Sequence, residues 1–169
     1  MRGIITGFLY RMDRVELLAV NSEHPILGNA PKIAFPFDSL STVNDVQNPK
    51  AFNAFYHGEV DQNDALNVTY SRAAQLGLFR IWDEVVGKGK HVDVYLLNNH
   101  FSSRPNARVV RRTYQAMYNA GITRAIRAAL PDALVLAGGD LNVFPRPDDP
   151  FGEPFSDQLA SMYKAGLWN

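Results

Sequence analysis

The stretch "VLAGGDLNVFPRPDDP", residues 135–150, runs from apolar residues into two glycines. It then places Asp140 and Asn142 on either side of one leucine and ends among prolines. A short apolar run bounded by glycine and proline reads as a buried strand. Asp and Asn just past a strand are ordinary turn formers, because their side chains bond to the backbone two residues on. Flanking a single Leu, they can also be aimed together into a cleft. A second stretch has the same form: in "YLLNNHFSSR", residues 95–104, an apolar run is followed by Asn98, Asn99, His100, Ser102 and Ser103.

Between the two stretches the pattern is helical over residues 109–130, and Pro131 stops it. Val110, Tyr114 and Met117 sit at helical spacing. Ile122, Ile126, Ala129 and Leu130 continue it after a shift near Gly121. The arginines at 104, 108, 111, 112, 124 and 127 read as a solvated face, with a nucleic-acid contact surface as the alternative. Arg112 and Gln115 also read as pins holding the helix to the sheet. A strand–helix–strand order makes the two strands neighbours with both carboxyl ends at one edge, which brings His100, Asp140 and Asn142 together. An imidazole, a carboxylate and an amide suit phosphoryl hydrolysis. The carboxylate can hold a divalent cation or orient a water, the amide can donate to a phosphate oxygen, and an imidazolium can offset growing charge.

Outward from this core, "GIITGFLY" and "RVELLAV" predict a hairpin over residues 4–20, turning at "RMD". Residues 21–67 are rich in Asn, Asp, Pro and Ser with no sustained period, and read as a long irregular insertion. One reading makes that insertion a surface for a protein partner, although no particular partner is implied. Two strands joined through "GKGK" follow, within residues 68–101. A last short helix is predicted in "SDQLASMYKAG", with Ser156 as its N-cap and Gly166 just past its end. His24, His57 and His91 lack partners at metal-ligand spacing. Asp148 and Asp149, between prolines, read as a turn, with calcium binding the alternative.

Composition narrows the function classes. The 169 residues suit one domain with a buried core, and 46% hydrophobic with 20% charged residues is the balance of a soluble globular chain. Seventeen basic and seventeen acidic side chains cancel, so no global field points to nucleic acid or membrane. The absence of cysteine excludes disulfides, thiolate chemistry and Cys-based zinc sites. No apolar run approaches the roughly 20 residues of a transmembrane helix, and the N-terminus does not read as a signal peptide, leaving localisation open.

In order, "GFLYRMDRVEL", "SRAAQLGLF", "NNHFSSR", "RRTYQA", "GGDLNV" and "PFSDQLASMYKAGLWN" resemble the endonuclease/exonuclease/phosphatase (deoxyribonuclease-like) superfamily. The resemblance covers most of the chain outside residues 21–67, with Ala74 standing where Pro is usual. It implies an α/β fold: a mixed two-sheet β-sandwich with helices on the outer faces, four layers in all. It also implies hydrolysis of a phosphodiester or phosphomonoester with Mg²⁺ or another divalent cation such as Mn²⁺ or Ca²⁺. The substrate would be a phosphate ester, nucleic acid among the candidates.

Residue by residue, the resemblance assigns Asp140 to the metal or the attacking water. Asn142 falls to the scissile phosphate and the metal, and His100 to the transition state. Arg72 and Asn99 would bind substrate phosphate. The family's metal-binding Glu and its Asp-His dyad have no counterpart here. The chain is therefore expected to be an internal portion of such a domain, 1–169 with the insertion at about 21–67. It would be incomplete at both ends and inactive alone. A non-catalytic binding module that keeps the fold is the alternative.

Overall fold

The computed structural model describes residues 6–29, 31, 33–35, 45–55, 68–104, 108–143 and 158–167. Its order is β1 (Val15–Leu17), β2 (Lys50–Phe52), β3 (Ala74–Trp82), β4 (His91–His100), α1 (Val109–Ala129), β5 (Leu134–Asp140) and α2 (Ala160–Lys164). The strands form one mixed sheet. β3 and β4 are an antiparallel hairpin with Gln75 opposite Asn98 and Trp82 opposite His91. Positive φ at Gly87 and Gly89 makes the turn that "GKGK" predicts. β5 lies parallel to β4, and α1 is the crossover that a parallel connection requires.

On the other side of β3, β1 pairs with its Phe79–Ile81 end and β2 with its Ala74–Leu76 end. Asn48 bridges the gap between them. Its Nδ2 donates to the carbonyls of Leu18 and Leu78 at 2.7 and 2.8 Å, and its Oδ1 accepts from the Leu78 N–H at 2.9 Å.

Two sequence expectations change here. The hairpin over residues 4–20 does not form among the described residues, because Val15–Leu17 pairs with β3 instead. Residues 6–10 lie against the sheet without a ladder: Gly7 O accepts from Asn98 Nδ2 at 2.7 Å, and Phe8 and Tyr10 meet the Phe79 ring edge-on. The segment 21–67 is also more than an irregular insertion. Its described residues supply β2 and the core side chains Ile26, Leu27, Ile33, Phe52 and Ala54.

Alternation along the strands gives the sheet two unlike faces. Leu76, Tyr95, Leu97 and Val135 face the core, where Ala116, Tyr118, Ile122 and Ile126 of α1 pack on them. On the opposite face, Phe8 and Tyr10 shelter Phe79 near β3, whereas Leu134 and Leu136 of β5 are 52% and 60% exposed. α2 packs on α1, where Arg127 Nη1 donates to the Ala165 carbonyl at 2.6 Å. Gly166 follows with φ +82, as predicted for the residue past the helix end. Ser156, His57, Asp148 and Asp149 lie outside the described residues.

Ile122 and Ile126 are buried as expected, but the first turn of α1 buries a different face from the expected one. Val110 is 58% exposed, while Arg111 and Arg112 are 6% and 0% exposed. The solvated face therefore does not include these two arginines; it holds for Arg104 and Arg124. The cause is unmet backbone demand. The carbonyls of Val68, Thr69, Ser102 and Arg104 sit in loops against the first turns of α1, and buried carbonyls need donors. Guanidinium groups supply them: Arg111 bonds Val68 and Thr69, and Arg112 bonds Ser102 O, Arg104 O and Gln158 Oε1.

Candidate phosphate-ester site

The paired strand ends carry the site. In the β4–β5 register, His100 lies beside Asp140. Gly139 makes this approach possible: it has φ +116, and a Cβ on it would lie 2.1 Å from the Asn99 carbonyl oxygen. Any side chain there would push the strands apart.

Beyond the last pair the ends remain stitched. The Phe101 N–H donates to the Asp140 carbonyl at 2.8 Å. Asn142 adopts φ +51, a left-handed conformation that Asn tolerates, and so turns back toward β4. Its Nδ2 donates to the Phe101 carbonyl at 3.1 Å, and its backbone N–H donates to Asp140 Oδ1, also at 3.1 Å. The turn-former reading and the site reading thus describe the same residues. The bond that closes the turn also orients the carboxylate.

His100 Nε2 stands 3.7 Å from Asp140 Oδ2, with side-chain exposures of 24% and 60%. That separation is too long for a hydrogen bond and close enough for an ion pair when the imidazole is protonated. At this exposure such a pair adds little stability. What it supplies is chemistry: an accessible carboxylate oxygen beside an imidazole, with the second N–H of the Asn142 amide left over to meet a third group.

The structure therefore brings together His100, Asp140 and Asn142. Arg72 sits in the bend just before β3, at the same end of the sheet by the β3–β4 register. It is half-buried and, among the described residues, has no hydrogen bond or ion pair.

Asn99 is not brought to this group. It is 2% exposed and its side chain is on the α1 side, one residue out of phase with His100. Its Nδ2 donates to the Leu97 and Gly138 carbonyls at 3.1 and 3.3 Å, and its Oδ1 accepts from Asn119 Nδ2 at 2.9 Å. With donors and acceptor engaged, Asn99 ties the strands together and has nothing to offer a phosphate.

Behind the site stands a buried polar network that the sequence reading reached only at Arg112 and Gln115. Gln115 Oε1 accepts from the Ser102 N–H at 2.9 Å, and its Nε2 donates to Thr69 O at 2.9 Å and Ser102 Oγ at 3.2 Å. Tyr70 donates from its hydroxyl to the Gln115 carbonyl at 2.6 Å, and complete burial pushes its pKa well above the usual 10. Burial, with Arg108 adding to it, lowers the pKa of the Arg112 guanidinium. The spacing 112, 115, 119 places Arg, Gln and Asn on one helical face, a polar periodicity that could have flagged the network.

Among the described residues no group of three His, Asp or Glu side chains converges to hold a metal ion. The donors at the site still fit a hard cation of the Mg²⁺ kind, which takes one or two carboxylates and fills its remaining positions with water and substrate phosphate. Asp140 would supply the carboxylate and Asn142 an amide oxygen. No family model, curated protein or solved structure matches this chain. Among the described residues, no helix is long and apolar enough to cross a membrane.

Proposed function

We propose that the His100–Asp140–Asn142 group is the core of a metal-dependent phosphoric-ester hydrolase site, acting on a phosphodiester or phosphomonoester as in the endonuclease/exonuclease/phosphatase superfamily. The observation that carries the reading is the register of His100 with Asp140 across two parallel strand ends, with Asn142 folded back over them. On this reading the carboxylate, the imidazole and the amide would act together on one phosphate. Asp140, with Asn142, would hold Mg²⁺, which when bound would neutralise phosphate charge. Asp140 orients the attacking water through its exposed oxygen. His100, protonated, offsets charge growing on the phosphoryl oxygens, and the free Asn142 N–H donates to one of them. Arg72 draws the substrate phosphate to this end of the sheet.

The finer fold belongs to the same proposal. The exposed Leu134 and Leu136, on the face that carries His100 and Asp140, are the kind of surface a second sheet covers in a four-layer sandwich.

The second reading, a binding module that holds a phosphate group without turning it over, is favoured by the small donor set. A single exposed carboxylate holds Mg²⁺ weakly. Residues 1–169 alone are accordingly proposed to show little turnover. The test is hydrolysis of bis(p-nitrophenyl) phosphate by the gene's full product, with and without Mg²⁺. Mg²⁺-dependent turnover that falls by about 100-fold or more in Asp140→Ala and in His100→Ala is the expected result. Turnover indifferent to both substitutions removes the site assignment. Saturable binding of inorganic phosphate without turnover, lost in Asp140→Ala and Arg72→Ala, leaves the binding module standing.

A further inference from the structure

Behind the joined ends of β4 and β5 lies a buried amide. Asn119, on α1 and fully buried, reaches three acceptors with its amide nitrogen: Tyr70 Oη at 2.6 Å, Asn99 Oδ1 at 2.9 Å and the Gln115 carbonyl at 3.0 Å. Among the described residues its own Oδ1 is buried without a hydrogen-bond partner. A buried amide that leaves its acceptor unmet while its two N–H groups are shared among three oxygens is held there for what it donates. The recipient that matters is Asn99. With its oxygen fixed by Asn119, the Asn99 amide nitrogen is aimed at the Gly138 carbonyl on β5, as well as at Leu97 O on its own strand. Gly138 lies two residues before Asp140, and Asn99 immediately precedes His100. Close approach at this point is already tight, since the neighbouring Gly139 has no room for a Cβ against Asn99.

We infer that Asn119 is a positioning residue for the His100–Asp140 pair, acting through Asn99 to hold the carboxyl ends of β4 and β5 at their working separation. The relay runs from helix to strand to strand, Asn119 to Asn99 to Gly138, and touches neither substrate nor metal. Its kinetic consequence rests on the hydrolytic reading; its structural consequence does not.

Two readouts separate these. The first is amide hydrogen exchange. The Phe101 N–H, bonded to the Asp140 carbonyl, and the Asn142 N–H, bonded to Asp140 Oδ1, report closure at the site, while the Leu18 N–H, bonded to Leu78 O, reports the far side of the sheet. In Asn119→Ala, protection at Phe101 and Asn142 should fall by about 10-fold or more while Leu18 stays within about 2-fold of wild type, as expected for local opening. A uniform loss across all three amides, or no loss at Phe101, overturns the inference and leaves Asn119 an ordinary core residue.

Asn119→Asp keeps the volume but offers no donor to Asn99 and should open the same amides. Asn119→Ser, a smaller disturbance, serves the same comparison where Asn119→Ala does not fold. The second readout is turnover of bis(p-nitrophenyl) phosphate, in which kcat should fall by about 10-fold or more with KM within about 2-fold, because small misplacements of reacting groups are costly. Selective opening without any wild-type turnover would keep the positioning role and sink the hydrolase reading alone.

Discussion

The two faces of the β4–β5 pair are built on opposite logics. Toward α1, Tyr95, Leu97, Asn99 and Val135 are buried, and the polar groups among them are tied to His24, Asn119 and the strand carbonyls of Leu97 and Gly138. On the other face, Leu134 and Leu136 stand exposed, and His100 and Asp140 face each other without a direct hydrogen bond. The first face spends its hydrogen-bonding capacity on the fold. The second keeps it in reserve. The difference teaches that a polar residue at a strand end is not by that fact a site residue: Asn99 and His100 are neighbours in the chain, and only the one whose side chain is left uncommitted is available for chemistry.

The largest effect should come from breaking the satisfied face at its densest point. Arg112→Met removes the donor to Ser102 O, Arg104 O and Gln158 Oε1 and leaves two buried acceptors and one part-buried acceptor unmet. Urea unfolding should show a loss of about 3 kcal/mol or more, and Arg112→Lys should recover little of it, since an ammonium cannot reproduce the fork. A loss within about 0.5 kcal/mol would mean that surface water already reaches those carbonyls.

The next prediction sets two adjacent residues of β5 against each other. Val135→Ala, on the buried face, should cost about 2 kcal/mol. Leu136→Ser, on the open face, should cost within about 0.5 kcal/mol in residues 1–169. Equal losses in the two variants would show that something covers Leu136 and erase the contrast between the faces.

The smallest effect concerns pH. His24 Nδ1 accepts from the N–H groups of Ile26 and Leu27 at 3.2 and 3.0 Å, and its Nε2 meets Tyr95 Oη at 3.0 Å. Burial first, and Lys50 second, hold its pKa below the usual 6.5. In the unfolded chain the ring takes a proton near its ordinary value, about 6.5, so below that pH the unfolded state binds more protons than the folded one. Stability from this group is complete above that pH and declines as pH falls through it toward the lower folded value. The melting temperature should drop between pH 7 and pH 5, and the drop should shrink in His24→Asn, whose amide oxygen can still accept from the same N–H groups. An unchanged drop would show that other groups carry the acid response.

Much of the fold is legible from local signals. The β3–β4 hairpin follows from two apolar runs around Gly87 and Gly89. The crossover follows from helical periodicity ended by Pro131, and the parallel pairing of β4 with β5 follows from that crossover. The juxtaposition of His100, Asp140 and Asn142 was legible for the same reason, because a strand–helix–strand order leaves both carboxyl ends at one edge. The N-terminal hairpin was misread because a β-rich run specifies a strand but not its partner. β3 is long enough to pair with both β1 and β2, and it captured Val15–Leu17.

What the sequence by itself determined, then, is the succession of elements and the edge at which the polar residues meet. Periodicity, turn chemistry and proline are properties of neighbours along the chain, and they need no tertiary contact to be read. The tertiary structure alone decided which polar residues are spent and which are free. Arg111 and Arg112 look like solvent-facing charges until the carbonyls of Val68, Thr69, Ser102 and Arg104 are folded against them. Asn99 looks like a partner of His100 until Asn119 claims its oxygen. Satisfaction of a buried hydrogen-bonding group depends on atoms dozens of residues away, and that is settled only when the chain has closed on itself.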